Sequence, residues 1–396
     1  MIYRRTLFII CIGYFIDFYD LTIFSASYVS LLKEQFNLIN TVDIQSTYLL
    51  INNYYTAGIV IGGILFGILS DKFGRIAMIR YSILLYSFSI ILSIFTHSLP
   101  IFIFLRFISG IGLSAEFATS SVLIAELLPT NLANRYTNLL YLCGVLGGMT
   151  ATYMSGISWK LMFLFGGVAG LLLYILRSKI YESLLFKNLT THINRGQLSL
   201  LFHKNNILKL INLLLLITPF YFLISIMFLY PKFMPITIDL SVAIRKILFG
   251  FFIGNIISVG FATILINKFK NYKLFLLFNM LIFVLIMPVF IFISDKYVFF
   301  YACILGLLGG GLPTVWVQLV VKSYGTNLRA TATASLTAFG RMTCIIFNLL
   351  FQSWLTNPNI FIKNAIIMIC LLTMIVCLVI YYTKNNYNKE LNFIEN

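Results

Sequence analysis

The stretch IDFYD, residues 16–20, places Asp17 and Asp20 three positions apart in a run that holds no other charge from Thr6 to Leu32. On a helix this spacing sets two carboxylates on similar faces, about 4–5 Å apart along the axis. A carboxylate in an apolar medium can bind and release a proton, because desolvation favours its neutral form and a nearby arginine its charged form. Arg106 is such an arginine. Counted from Thr6, Asp20 lies about 21 Å along its helix, about 9 Å short of the far face of a hydrocarbon core. Arg106, counted inward from Pro100, is also about 9 Å deep. Equal depth makes Asp20 and Arg106 a candidate proton-coupling pair, with Asp17 lining the same cavity or supporting it.

Arg341 lies about 15 Å into another apolar run, with no acid at comparable depth in its half. A guanidinium there can grip a carboxylate in a bidentate fork, which makes Arg341 a candidate substrate-binding residue. Trp316 is a second candidate, offering a π-face to a cation, although packing is its plainer role. Glu116, near one end of its run, reads as a pairing residue between helices.

These charges need long apolar elements around them. The chain has 396 residues, 60% hydrophobic and 10% charged, with a mean hydropathy of +0.96. A bilayer core needs roughly 20 apolar residues per helix. Spans are expected near 6–32, 47–69, 77–96, 100–125, 137–156, 159–176, 207–230, 245–266, 274–293, 297–321, 331–355 and 361–383. The fold class is therefore all-α, with twelve transmembrane helices.

The net charge of +16 sorts by side: nineteen Lys and Arg fall in cytoplasmic segments against seven opposite, if both termini are cytoplasmic. The excess is topological, and nucleic acid is not an expected partner. The six cysteines all fall inside spans without metal-ligand spacing, so no disulfide framework, metal or cofactor is expected. Arg4–Arg5 before an apolar run could mimic a signal peptide, but two aspartates in that run favour a retained first span. No nucleophile and base come together as an enzyme would require.

The two halves repeat at an offset of 196. SDKFGRI (70–76) aligns with INKFKNY (266–272), and AELLPTNL (125–132) with VKSYGTNL (321–328). Gly58, Gly110 and Gly144 fall opposite Gly254, Gly306 and Gly340. The expected organisation is two six-helix bundles, 1–177 and 207–383, joined by a cytoplasmic linker (178–206) and followed by a short polar tail (384–396). Gly309, Gly310, Gly311 and Pro313 loosen the tenth span.

GILSDKFGR (67–75) fits the pattern G-x-x-x-D-[RK]-x-G-R between the second and third spans of the major facilitator superfamily, which the chain resembles along its whole length. RFISGIGLSAEF (106–117) and AELLPTNLANR (125–135) are similar to the family's fourth span and its cytoplasmic exit. IDFYDLTIF and YESLLF (181–186) resemble the metabolite:proton symporters of the proline/betaine, α-ketoglutarate and citrate type, with Leu184 in place of a proline. The resemblance implies a cytoplasmic gate built from Gly67, Asp71, Lys72, Gly74, Arg75, Glu126 and Arg135. It also implies proton-coupled symport of a small metabolite by a protein of the bacterial inner membrane that works as a monomer. A sugar permease, an efflux antiporter, or a membrane-embedded enzyme or assembly factor are the alternatives. In the second half Asn267, Asn271 and Lys322 replace Asp71, Arg75 and Glu126, so a lock is expected on one side of the repeat alone.

Overall fold

The computed structural model describes residues 2–114, 116–178, 180, 182–187, 195–229, 239–286, 297–354, 358–383, 386–387 and 389–395. Among them the regular elements are all helical. They are α1 (Ile2–Phe36), α2 (Thr41–Phe73), α3 (Arg75–Phe95), α4 (Leu99–Leu113), α5 (Glu116–Leu127), α6 (Thr130–Met154), α7 (Trp159–Arg177) and the short α8 (Leu184–Lys187), then a 3₁₀ turn at Leu198–Phe202. There follow α9 (Lys204–Leu229), α10 (Leu240–Phe269), α11 (Tyr272–Ile286), α12 (Val298–Gly309), α13 (Gly311–Ser323), α14 (Arg329–Trp354) and α15 (Pro358–Tyr382).

Among the described residues, ten segments are long and apolar enough to cross a membrane, with α4–α5 and α12–α13 each counting as one. The other two expected spans are α6, diluted by Thr, Asn and Gly, and the shorter apolar α11, whose expected span continues beyond the described residues. Exposed apolar side chains such as Ile61, Leu92, Phe104, Leu172, Leu281, Leu371 and Met374 cover the outer faces, as a hydrocarbon solvent requires. The helices outrun the apolar stretches because their ends are polar and capped. At α2, for example, the Asn40 carboxamide accepts from the Val42 N–H at 3.1 Å.

The chain forms two compact units. The first comprises Met1–Leu201, Tyr324–Phe339 and Glu390–Asn396; the second comprises Phe202–Ser323 and Gly340–Lys389. In the first, α1 packs on α6, α2 on α4 and α3 on α7; in the second, α10 packs most extensively on α12.

The repeat is visible in how these helices cross. A Cβ on Gly58 would lie 2.2 Å from the Phe107 carbonyl oxygen, and one on Gly110 2.3 Å from that of Tyr55. Every one of these positions recurs 196 residues later: Gly254 meets the Cys303 oxygen and Gly306 that of Phe251, each at 2.0 Å. Backbone lies on backbone in both units, which only glycine permits. The turn after the second span recurs as well. Gly74 has φ +107°, and Lys270 in its place has φ +50°, a left-handed conformation that costs a side-chain-bearing residue about 1–2 kcal/mol.

Between α12 and α13 the helix is interrupted at Gly310. The Gly311 N–H donates to the Ser258 hydroxyl at 2.9 Å, and the Leu308 carbonyl accepts from the Asn279 carboxamide at 2.9 Å. Side chains from α10 and α11 thus satisfy backbone groups at the break, as a water-poor interior demands.

Gly58→Ala and Gly254→Ala are expected to lower the thermal unfolding midpoint of the detergent-purified protein, by the equivalent of about 1–3 kcal/mol of overpacking. Gly260→Ala is the control, since nothing lies within 4 Å of its added Cβ. Equal midpoints for all three would overturn the crossing geometry.

Candidate functional site

Two groups of buried charge stand in the first unit, and they differ in how they are paired. The first surrounds α1. Asp17, Asp20 and Arg106 are all buried; the Asp20 oxygens meet no hydrogen-bond partner among the described residues, while Asp17 has the Tyr86 hydroxyl beside it and Arg106 that of Tyr55. Gly166 of α7 lets the chain pass directly over Asp20: a Cβ there would lie 1.9 Å from Oδ1. The Arg106 guanidinium sits in an aromatic box, 4.3 Å from the Tyr55 ring centroid, 5.2 Å from Phe24 and 6.0 Å from Phe163. The charges of Asp20 and Arg106 interact across the bundle without a hydrogen bond joining them. Asp17, one turn away, lies within reach of a third buried acid, Glu116.

Glu116 is a pairing residue. Arg177, at the end of α7, forks onto it: Nη1 donates to Oε2 at 2.6 Å and Nη2 to Oε1. Sequence reasoning assigned Arg177 to the topological basic residues; at the last turn of α7 it also complements the helix dipole.

The second group is densely paired. Asp71 sits at the start of α14, where its Oδ2 accepts from the Thr331 N–H at 2.7 Å and hydroxyl at 2.8 Å, and Oδ1 accepts from the Ala330 N–H at 3.3 Å. A helix N-terminus exposes N–H groups that an anion satisfies. Arg75, one turn beyond Asp71, donates to Glu126 at 3.0 Å and to the Thr326 carbonyl at 3.1 Å, with its guanidinium 4.4 Å from the Phe186 ring centroid. Glu126 also accepts from Arg329 at 2.9 Å and from the Ser183 hydroxyl at 2.5 Å. Glu182 caps α3 by accepting from the Ile76 N–H at 3.1 Å, and a Cβ on Gly74 would lie 2.7 Å from it. Burial pushes the Glu182 carboxyl above its ordinary range, against the opposing pull of that N–H and of Arg75.

The structure thus brings Gly67, Asp71, Gly74, Arg75 and Glu126 together, with Gly67 lying against Ala330, Thr331 and Ala334 of α14. Lys72 and Arg135 are exposed. The arginine that completes the network is Arg329, which has no counterpart in the repeat. Its signal was available: an arginine in the first turn of a helix opposes the dipole and calls for an acid. Glu182, Ser183 and Phe186 all come from YESLLF, whose Leu184 is exposed.

In the second unit, Arg341 is half-buried beside Tyr221 and Cys344. Trp316 is buried, with its indole N–H donating to the Leu213 carbonyl at 2.6 Å. The Asn271 carboxamide accepts from the Lys273 N–H at 2.9 Å. Lys322 donates to the Tyr387 carbonyl between the rings of Tyr272 and Tyr387.

Among the described residues, a succession of long apolar helices, with an Asp–Arg–Glu network after the second span, makes up an all-α membrane fold. Residues 10–348 match the family model of the Major Facilitator Superfamily, and the chain belongs to that family. A Haemophilus influenzae protein whose description is metabolite transport protein is 35% identical over 142 residues, 35% of each chain. The niacin transporter NiaP of Acinetobacter baylyi is 29% identical over 36% of this chain and 32% of its own, and the benzoate transport protein of the same organism is 28% identical over 42% and 37%. The matched stretch is about a third of each relative's length. Among solved structures, the proton:xylose symporter XylE superposes with a TM-score of 0.75 over 98% of this chain and 97% of its own, at 17% identity. The protein is a multi-pass membrane protein of that superfamily.

Arg177→Gln is expected to destabilise the protein by about 3–5 kcal/mol, because it leaves Glu116 buried and unpaired. Glu126→Gln should act in the same direction, while Lys72→Gln and Arg135→Gln change stability by less than about 0.5 kcal/mol. Thermal unfolding in detergent ranks the four variants. Exposed and buried variants with the same midpoint would contradict this division.

Proposed function

We propose that the chain carries a small carboxylate-bearing metabolite together with a proton across the inner membrane of a bacterium. It works as a monomer by alternating access, with both ends cytoplasmic. The observation that carries this reading is the buried pair of Asp20 and Arg106, near enough to feel each other's charge, with the Asp20 oxygens meeting no hydrogen-bond partner among the described residues. Charges kept unpaired inside a membrane bundle are costly, and they persist where a ligand or a proton completes them.

Niacin and benzoate, the compounds named for two relatives, are both ring carboxylic acids. Proline and betaine, suggested by the first-span resemblance, carry a carboxylate too. An arginine walled by Phe24, Tyr55 and Phe163 suits a flat acid, clamping its carboxylate while the rings stack on its body. Arg341 is the corresponding candidate in the second unit, and Trp316 a wall rather than a donor, its N–H being engaged. Movement of Arg106 towards Asp20 or away from it would switch that carboxylate between releasing and holding a proton. Asp17 takes the supporting role.

The Asp71–Arg75–Glu126–Arg329 network acts as the cytoplasmic lock, with Gly67 and Gly74 giving it room and Lys72 and Arg135 serving as basic anchors outside it. Asn267, Asn271 and Lys322 cannot reproduce it, so the lock is one-sided.

In proteoliposomes, Asp20→Asn is expected to abolish accumulation of a labelled carboxylic acid driven by a proton gradient while preserving exchange, and Asp17→Asn to have a milder effect. Niacin and benzoate are the first acids to try. Accumulation by Asp20→Asn at the unmodified level, still collapsed by a protonophore, would place the proton site elsewhere. Separately, Asp71→Asn is expected to raise cysteine accessibility from the cytoplasmic side, and Asn267→Ala to leave it unchanged. Equal responses would remove the case for a one-sided lock.

A further inference from the structure

The lock is held from behind by a segment that none of its motifs announces. Residues Leu391–Glu395 lie along the turn that joins α13 to α14. The Thr326 N–H donates to the Phe393 carbonyl at 2.9 Å, and its hydroxyl to that of Leu391 at 3.3 Å. The Asn327 carboxamide pairs with Glu395 at two points, donating to its carbonyl at 3.0 Å and accepting from its N–H at 2.9 Å. This is how a peptide group is recognised by another, and Asn327 is 1% exposed. Gly325 leaves the floor bare, since a Cβ there would lie 2.7 Å from the Glu395 nitrogen. Leu391, Phe393 and Glu395 are half-buried while Asn392 and Ile394 are exposed, and the Phe393 N–H donates to the Leu391 carbonyl at 3.0 Å, a tight turn at Asn392.

One side chain links this turn to the lock. Arg329 donates through Nη1 to Glu126 at 2.9 Å and through Nη2 to the Leu391 carbonyl at 2.6 Å. The same turn supplies the Thr326 carbonyl to Arg75. Beneath it, burial and the neighbouring Glu395 push the Tyr324 hydroxyl above its ordinary range.

We infer that the turn 324–329 is a binding site for a short peptide segment, filled in cis by residues 391–395. Its occupancy holds Arg329 in place on Glu126. Recognition runs mainly through the peptide's backbone carbonyls and N–H, so the ligand class is a peptide backbone rather than a particular side chain. The site would therefore accept the same segment added from outside, which makes it a place where loss or displacement of the tail loosens the charge network.

The test uses detergent-purified protein with the six native cysteines replaced by Ala and a reporter, Ala330→Cys, at a fully buried position beside Asp71. Truncation after Lys389 is expected to speed maleimide labelling of the reporter about tenfold, from loss of the tail's hydrogen bonds. The synthetic peptide KELNFIE (389–395) should restore slow labelling, and a scrambled peptide should not. If the truncated protein aggregates on size exclusion, full-length Asn327→Asp decides the matter: removing the donor amide should speed labelling, and Asn327→Gln should speed it less. Labelling of the truncated protein at the full-length rate, or peptide and scramble acting alike, overturns the site. So does an unchanged rate in Asn327→Asp. None of these outcomes depends on what the protein transports.

Discussion

A single buried carboxylate, Glu126, accepts from Arg75, Arg329 and Ser183, three donors from segments far apart in sequence. Inside a membrane bundle a charge has no water to fall back on, and removing one partner of such a cluster costs about 3–5 kcal/mol. The segments that supply the partners are the start of α3, the residue before the four-residue α8, and the start of α14, and all three meet at this acid. The turn between α2 and α3 needs Gly74 for its geometry, while Asp71 ties the end of α2 to the first turn of α14 and Arg75 ties the start of α3 to Glu126 and the Thr326 carbonyl. The cap that Glu182 places on α3 follows from the same closure, since Ser183 beside it is bonded to Glu126.

The buried charges of the first unit divide into settled and unsettled ones. Glu116 forks with Arg177, and Asp71, Arg75, Glu126 and Arg329 each find hydrogen-bond partners in one another or in the backbone and hydroxyl groups around them, although Arg75 Nε and Nη1 meet none among the described residues. The Asp20 oxygens meet no partner at all among the described residues. Both kinds are equally dry, so solvent does not explain the contrast. The settled charges fasten helices, and their energy is spent in the folded state.

The twelve spans were legible because hydrocarbon imposes a length and a polarity that composition cannot hide, and the repeat because glycine is the only residue that lets two backbones touch. The positions Gly58, Gly110, Gly254 and Gly306 carried that information intact. The loop motif pointed to Asp71 and Arg75, the fourth-span exit to Glu126, and depth to Asp20 and Arg106, and all five are buried. Arg177 was not singled out, because basic residues at helix ends serve topology and ion pairing alike and a count of charges by side cannot separate the two uses; Arg329 carried a signal in opposing its helix dipole, which such a count passes over. Thr130-Asn131-Leu132 and Thr326-Asn327-Leu328 illustrate a second limit: the first triplet opens α6, whereas the second forms a turn before α14. The second triplet pairs with residues 391–395, and on that segment's side the pairing uses backbone atoms, which leave no mark on residue type.

The interruption at Gly310 has a mechanical consequence. A continuous helix resists bending because opening one of its bonds strands a donor and an acceptor, each worth several kcal/mol in lipid. Here the exchange has already been made: Ser258 holds the Gly311 N–H and Asn279 holds the Leu308 carbonyl. Flexing at this joint trades one satisfied bond for another, so its stiffness is set by the difference between two similar energies and not by the full strength of either. The tenth span therefore behaves as two rods on a greased pin, soft in angle yet never dry of partners, while the helices beside it remain single beams.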